Sequence, residues 1–237
     1  MKTLIESLLD NEDDLIFNAD KVLIDKFLQE NYFISGEYVI RNSDTGKYII
    51  DVEGSVFFMN NSLNSLTNDI FEFGEVTRDF YCDQRNTYNT KLKTLKGAPK
   101  YVDGIFDCST CLQLVSLEGG PQYCKKFQCL HCRSLANLKG APKMCNDFCC
   151  DDCDNLKTLE GAPKYVDNFS CRNCNHLKDL KGSPKAIQGR FDCVCCMNLI
   201  SITGCPKKCE TFSCRGSKRK ITKEEVRSLC NAKYIYI

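Results

Sequence analysis

The sequence has almost no net charge and no long apolar run. Its 32 basic and 31 acidic residues leave a formal net charge of +1, which argues against the strong positive field of a dedicated nucleic-acid-binding domain. No apolar run approaches the roughly 20 residues that span a bilayer. The opening segment MKTLIESLLDNEDDLIF lacks the basic flank, apolar core and small-residue cleavage site of a secretory signal. We therefore expect a cytoplasmic protein.

Recognisable catalytic motifs are also missing, and histidine is scarce. The chain contains no phosphate-binding glycine loop, nucleophile elbow or metalloprotease helix. Its two histidines, His131 and His176, lie near Cys132 and Cys174, a proximity that also occurs in Cys–His dyads. These cysteines belong to a repeat, and the repeat accounts for their positions without a catalytic role. We therefore predict that both imidazoles face solvent. We also predict that the protein has no catalytic residue, no cofactor and no enzymatic activity.

Cysteine, by contrast, is abundant. Nineteen cysteines make up about 8% of the chain, close to the level that marks a disulfide scaffold in a short secreted protein. Without a secretory signal, reduced thiols are the default, and an odd number fits complete pairing poorly. Ten of these cysteines form Cys-x-x-Cys pairs in the segments FDCSTC, FQCLHC, FCCDDC, FSCRNC and FDCVCC.

These pairs belong to an internal repeat. Phenylalanine recurs every 21 or 22 residues, at Phe106, Phe127, Phe148, Phe169, Phe191 and Phe212. Cysteine follows each phenylalanine two positions later, and a second cysteine follows five positions after the first five, at Cys111, Cys132, Cys153, Cys174 and Cys196. Two apolar residues and a Gly-x-Pro complete the unit. Such a period predicts a solenoid of stacked turns.

The pattern inside the unit predicts its local structure. The F-x-C alternation places Phe and Cys on one face of a short strand. Glycine permits an unusual backbone conformation in the turn, and proline needs no hydrogen-bond donor. One unit is too small to bury its apolar face, so neighbouring units must stack. The period and the apolar pattern both lie in the leucine-rich-repeat range. We predict a leucine-rich-repeat-like solenoid of about eight turns, with one short parallel β-strand per turn of 21–22 residues.

The two ends depart from the repeat. We predict an N-terminal helical cap at residues 1–53, the solenoid at 54–216, and a C-terminal capping helix and strand at 217–237. The N-terminal prediction rests on apolar residues at helical spacing, namely Leu4, Leu8, Leu9, Leu15, Ile16, Val22, Leu23, Phe27 and Leu28. Residues 54–66 and 73–82 are interpreted as degenerate turns, followed by a polar insertion, DQRNTYNTK, at 83–91. Thr222 to Glu225 form a capping box that opens a helix to about Cys230, and the final YIYI is predicted to pair as a strand.

The unit resembles the leucine-rich-repeat-like arrays of many tailed-bacteriophage proteins, which follow the rhythm LxSLxGAPxxVxGxFxCsxN. It is more loosely similar to the short repeats of secreted bacterial leucine-rich-repeat effectors. The resemblance covers roughly Gly54 to Gly216, and it departs at the second cysteine, where the phage repeats often have Asn. It implies a solenoid that binds a host protein, such as a defence or regulatory component, in the host cytoplasm.

Three interpretations of the cysteines remain open. The spacing from Cys108 to Cys132 matches a zinc ribbon, but a repeat with two core cysteines per unit generates the same spacing. Disulfides between adjacent turns are geometrically conceivable. Cysteine also replaces Val or Ile at Cys124, Cys145 and Cys209, as a small buried hydrophobe does. We favour reduced core ladders without a metal.

Function is expected on the outer strand face, where residues between the framework positions vary. We predict that a protein partner binds there, and that the contacts involve Asp107, Ser109, Gln128, Leu130, His131, Asp151, Asp152, Ser170, Arg172, Asn173, Asp192, Val194 and Arg215. One alternative is a small-ligand or nucleotide-sequestering protein with a pocket near residues 83–91. Another is nucleic-acid binding through a stripe that follows the prolines, formed by Lys100, Lys143, Lys164, Lys185 and Lys207 with Tyr101, Tyr123 and Tyr165.

Overall fold

The computed structural model is a β-solenoid of about eight turns. It describes residues 4–60, 62–82 and 91–237, with side chains from Phe17 onward. Two helices are present in that part of the chain, α1 (Leu4–Asn31) and α2 (Lys223–Leu229). The strands are β1 (Tyr32–Asn42), β2 (Tyr48–Phe58), β3 (Phe71–Val76), β4 (Phe80–Tyr81), β5 (Tyr101–Asp107), β6 (Tyr123–Gln128), β7 (Met144–Cys149), β8 (Asn168–Ser170), β9 (Arg190–Asp192), β10 (Lys208–Ser213) and β11 (Asn231–Tyr236).

All eleven strands belong to one sheet, whose order follows the chain. From β2 onward, each strand pairs in parallel with the equivalent strand of the next turn. The degenerate turns expected at 54–66 and 73–82 contribute β2, β3 and β4 to this sheet. No helix in the described part of the chain is long and apolar enough to cross a bilayer.

The N-terminal end differs from the helical segment that was predicted. Helix α1 ends at Asn31, and β1 and β2 then form an antiparallel hairpin. Leu28 is buried as expected and Phe27 packs against the core, but Val22 and Leu23 are 66% and 52% exposed. Ile24, which was not predicted, is fully buried in their place. The apolar pattern identified the helix but misplaced part of its buried face.

The repeated phenylalanines form a continuous column of rings inside the solenoid. From Phe80 to Phe191, successive ring centroids lie 5.2–5.8 Å apart with nearly parallel planes. Every ring from Phe80 to Phe212 is at most 1% exposed. Two leucine columns fill the rest of the turn, and all their members are fully buried. Because each turn places the same side chain above its copy, the core is continuous along the whole array.

The Gly-x-Pro segments bring the turns into close backbone contact. Gly97, Gly119, Gly140, Gly161, Gly182 and Gly204 all have φ between +86° and +93°. At Gly161, an added Cβ would lie 2.4 Å from the backbone nitrogen of Lys139 in the preceding turn. Glycine is therefore required here for two reasons, the left-handed backbone and the lack of space.

The C-terminal end contains the short helix α2 followed by strand β11. Thr222 precedes α2, and its Oγ1 accepts a hydrogen bond from the Glu225 backbone nitrogen at 3.1 Å. Strand β11 then pairs in parallel with β10, with Phe212 opposite Ile235. The last strand thus extends the sheet by one more rung.

Replacing Gly161 by Ala should lower the free energy of unfolding by about 2 kcal/mol or more. The variant combines the cost of a left-handed non-glycine residue, about 1–2 kcal/mol, with a backbone clash across the turn interface. Urea denaturation followed by circular dichroism would measure the loss. Lys164→Ala, an exposed substitution in the same turn, is the control, and equal stabilities of the two variants would contradict the expectation.

Candidate functional site on the strand face

The cysteines of the repeat are packed inside the solenoid. All nineteen are free thiols, and all except Cys149 and Cys195 are buried. Cys124 and Cys145 lie in register with Val102, which agrees with their role as small hydrophobes. Among the described residues, no group of three or more His, Cys, Asp or Glu side chains is arranged to hold a metal ion.

Many of the repeat thiols hydrogen-bond to a neighbouring turn. The second cysteine of a unit donates to the carbonyl of the first cysteine in the preceding unit. Four such bonds have Sγ···O distances of 3.1–3.2 Å, from Cys132 to Cys108, Cys153 to Cys129, Cys174 to Cys150 and Cys196 to Cys171. The first cysteine donates to the next unit, as Cys108 does to the Gln128 carbonyl at 3.3 Å. Although a thiol is a weak donor, these bonds connect each turn to both of its neighbours.

Burial makes these thiols hard to ionise. Desolvation raises the pKa of Cys124 to about 12 and that of Cys205 to about 11. The pKa of Cys108 is also raised well above its usual value, first by burial and then by its contacts with Cys132. A catalytic or redox-active cysteine needs the opposite environment, in which its pKa is lowered and the sulfur is accessible. These thiols therefore function as packing and ladder groups.

The raised pKa values predict that stability falls in alkali. A thiol that ionises near pH 8.5 when unfolded and near pH 12 when folded stabilises fully below pH 8.5, and this contribution is lost as pH rises towards 12. For Cys124 alone, the loss at pH 9 is about 0.8 kcal/mol. Urea denaturation with reductant at pH 7 and pH 9 should show a shallower decline in Cys124→Val than in the native chain. Val115→Ala, at an exposed position, should leave the slope unchanged, and identical slopes in all three proteins would contradict the expectation.

Several predicted site residues occupy a strained turn that follows each strand. Thr110, His131, Asp152, Asn173 and Cys195 have φ between 57° and 60°. Asn and Asp tolerate this left-handed region best among residues with a side chain. Three of these five residues were predicted as partner contacts, namely His131, Asp152 and Asn173. Their left-handed conformation shows that they also form the turn after the strand.

Other predicted residues hold backbone amides on the strand face. Asp151 accepts hydrogen bonds from the Ser170 hydroxyl at 2.6 Å and from the Arg172 backbone nitrogen at 2.8 Å. Asp107 and Asp192 each accept from the amide two residues later, and Ser109 accepts from the amide of Leu130. Buried or half-buried amides need such partners, so these four side chains support the scaffold.

The role of Asp151 can be tested by two substitutions. Asp151→Ala removes both acceptor bonds and should lower the free energy of unfolding by about 1 kcal/mol, as loss of a capping side chain does. Asp151→Asn keeps one oxygen at the acceptor position and should retain most of that stability. Chemical denaturation of both variants measures the difference. If alanine and asparagine cost the same, the hydrogen bonds do not stabilise the turn.

A groove crosses the middle of the strand face. It has a volume of about 330 Å³ and combines the bases Lys126, Arg172 and Arg190 with acids of neighbouring strands. Of the predicted residues, the groove also brings together Gln128, Asp151, Ser170 and Asp192. We call it the strand-face groove; its remaining lining residues are Asp147, Phe148, Cys149, Asn168 and Phe169.

The sequence analysis missed part of this groove. Lys126, Asp147, Asn168 and Arg190 directly precede the repeated phenylalanines. Two residues that flank an inward side chain in a strand both point outward, so alternation could have identified this column. Asn168 connects it across turns, donating to Asp147 Oδ1 at 2.8 Å and accepting from the Arg190 amide at 2.9 Å.

A second groove adjoins the first where the strands begin. It has a volume of about 430 Å³ and is lined by Met144, Tyr165, Ala186 and Ile187, among others. We call it the tyrosine groove. Tyr165 is 69% exposed and Met144 49% exposed, and the two residues pair in register on neighbouring turns. At the same register on earlier turns, Tyr101 is 47% exposed, whereas Tyr123 is half-buried. Tyrosines were predicted here as stacking groups for nucleic acid, whereas Met144 was not singled out.

Not all predicted contacts share one site. Asp107 and Ser109 lie on an earlier turn, and Leu130 and His131 follow the groove residue Gln128; none of the four lines either groove. Val194 and Arg215 line a further cleft towards the C-terminal end, which shares Arg172 and Arg190 with the strand-face groove. The five post-proline lysines are all exposed. The pocket predicted near residues 83–91 falls, apart from Lys91, outside the described residues.

Comparison of the chain with protein-family models, with curated proteins and with solved structures finds no significant match.

Proposed function

We propose that this protein is a non-enzymatic scaffold that binds a protein partner through the strand-face groove and the adjoining tyrosine groove. The observation that carries the proposal is the pair of exposed side chains Met144 and Tyr165, which lie in register on neighbouring turns and are 49% and 69% exposed. Tyr101 is 47% exposed at the same register, with the half-buried Tyr123 between it and Met144. Tyrosine and methionine are enriched at protein interfaces. Large aromatic side chains also dominate the binding energy where they insert into a partner.

The mixed charge of the strand-face groove supports the same proposal. Basic residues Lys126, Arg172 and Arg190 alternate with Asp147 and Asp151 in one shallow depression. A surface of both signs gives orientation and selectivity to a protein contact, whereas a polyanion is bound best by a surface of uniformly positive charge. The tyrosine row would supply affinity, and the charged groove would select the partner.

We further propose that the repeat is leucine-rich-repeat-like, with α1 and α2 covering its ends. The F-x-C-x-x-C unit with its two leucine columns supports this assignment, and thiols occupy the place that Asn takes in the similar phage arrays. The resemblance to those arrays favours a host protein as partner and the host cytoplasm as the place of binding. Fold alone does not determine function, so the partner is inferred from the surface and from this resemblance.

Affinity capture with surface variants tests the proposal. A double variant, Met144→Ser with Tyr165→Ser, should lose at least about tenfold in partner retention, because truncating one aromatic anchor typically costs 2 kcal/mol or more. The test leaves Asp151 and Asn173 unchanged, because both support the backbone. A loss of binding in variants of these residues could therefore result from a loss of folding. The tagged native chain, used on extract of the native host, supplies the partner for quantitative binding measurements.

A matched control is available on another face of the solenoid. Met197 and Ile200 are 64% and 50% exposed and lie outside both grooves. Met197→Ser with Ile200→Ser should bind the partner as the native chain does. Equal binding by the two double variants, both with native circular dichroism, would refute binding through the tyrosine groove.

A second candidate function is nucleic-acid binding along the lysine stripe. Backbone bonds connect its rungs, as from the Lys164 nitrogen to the Lys143 oxygen at 3.1 Å, so the lysines form one row beside the tyrosines. In the capture experiment, this candidate predicts recovery of nucleic acid instead of protein. Binding would then weaken steeply with salt, and Lys143→Ala with Lys164→Ala would reduce it.

A further inference from the structure

Three arginines converge on one cleft near the C-terminal end of the sheet. Arg172, Arg190 and Arg215 line a depression of about 450 Å³ together with Val194, Thr211, Ser213 and Tyr236. We call it the arginine cleft. Three of its lining residues carry hydroxyl groups, namely Thr211, the buried Ser213 and Tyr236, and none of the described residues in the lining is a carboxylate. All charged groups in the lining of the cleft are therefore positive, and all of them are hydrogen-bond donors.

Two of these side chains are held in place before any ligand binds. Arg190 contacts Asp192 Oδ2 at 2.7 Å and reaches the Ser213 hydroxyl at 3.4 Å. Asp192 is only 5% exposed and is not among the residues that line the cleft. The Arg215 guanidinium lies 5.5 Å from the ring centre of Tyr236, a favourable cation–π distance. Preorganised donors lose less entropy when they bind a ligand.

Much of the positive charge in the cleft is not neutralised by the protein. Arg172 is exposed, and its side chain forms no ion pair or hydrogen bond with the described residues. Arg215 contacts an uncharged ring, which leaves its charge uncompensated. Only Arg190 has an acidic partner. Two of the three guanidinium groups are thus free to pair with an external anion.

The spacing of the arginines indicates the class of ligand. Arg172, Val194 and Arg215 occupy the same repeat position on successive turns, as the backbone bonds from Asn173 to Val194 and from Cys195 to Arg215 show. Adjacent parallel strands lie about 4.8 Å apart, so the Cα atoms of Arg172 and Arg215 are about 10 Å apart. An extended peptide advances about 3.3 Å per residue. Carboxylates two or three residues apart therefore match this span better than a single small anion.

We propose that the arginine cleft binds an acidic segment of the protein partner, with aspartate or glutamate side chains two or three residues apart. Guanidinium forks bind carboxylates through paired hydrogen bonds, and the half-buried Val194 lies under the uncharged residues between them. This inference rests on the proposed function, because it places the segment in a protein partner.

Nuclear magnetic resonance of the 15N-labelled full chain can test it. The probe is a capped peptide, acetyl-Gly-Asp-Ser-Asp-Ser-Asp-Gly-amide, and the arginine side-chain signals are assigned with Arg172→Lys, Arg190→Lys and Arg215→Lys. The acidic peptide should give saturable shifts of all three Nε–H signals, weakening at least about fivefold from 50 to 300 mM salt. The counterpart with Asn in place of Asp should give none.

Two variants and one competing anion complete the experiment. Arg172→Gln with Arg215→Gln should abolish the shift of the remaining Arg190 Nε–H signal while circular dichroism stays native. Arg133→Ala, at an exposed arginine outside the cleft, should leave all three shifts unchanged. No saturable shift, or equal shifts with the Asn peptide, would overturn the proposal. Shifts produced by inorganic phosphate but not by the acidic peptide would also overturn it, in favour of a single-anion ligand.

Partner capture separates this inference from the proposed function. Loss of capture by the arginine double variant, together with peptide binding by the native chain, supports both. If the peptide fails to bind but Met144→Ser with Tyr165→Ser still reduces capture, the proposal for the arginine cleft is wrong and the proposed protein-binding function stands. If the peptide binds but the arginine double variant captures the partner normally, the acidic segment does not belong to that partner and the inference fails.

Discussion

The structure depends on one constraint, the in-register stacking of each turn on a nearly identical turn. Parallel pairing sets adjacent strands about 4.8 Å apart, and the phenylalanine rings follow at 5.2–5.8 Å. Everything inside the solenoid must therefore pack against a copy of itself. Flat rings, unbranched thiols and leucines satisfy this condition, whereas a buried charge would meet its own sign at every rung.

Cysteine suits this constraint in a particular way. It is small enough to stack in a column, apolar enough to replace Val or Ile at Cys124 and Cys145, and still able to donate a hydrogen bond. At the second position of the unit, the thiols satisfy carbonyls of the preceding turn at 3.1–3.2 Å. The same sulfur atom thus packs in the core and donates a hydrogen bond to a backbone carbonyl, and both interactions favour the protonated thiol. The zinc-like spacing of the pairs follows from the repeat period.

The sequence allowed the solenoid, its parallel strands, the capping box at Thr222 and the buried cysteines to be predicted, because each depends on periodicity or on a local motif. The antiparallel hairpin of β1 and β2 was missed, since it occurs once and has no period to reveal it. The exposed Val22 and Leu23 were misplaced, because which face of α1 is buried depends on tertiary packing.

The candidate site was predicted only in part, for a related reason. Outward columns could be located from the repeat, but side chains that support the backbone could not be distinguished from those available to a partner. Asp151 and Arg172 were predicted together, yet Asp151 holds two donors in place while Arg172 has no such role for its guanidinium. The column of Lys126 and Arg190 was left out because only positions after the phenylalanine were considered. Hydrogen-bond geometry makes this distinction, and one sequence does not contain it.

The unit between Phe169 and Phe191 is 22 residues long instead of 21. The additional residue lies in the segment from Ile187 to Arg190, between the end of the Gly-x-Pro turn and β9, and β8 and β9 are only three residues each. The ring column continues across this point, with its spacing widened to 5.8 Å. The interior thus tolerates a change in the length of the surface path, so the outer contour of a turn can be altered while the core keeps its register.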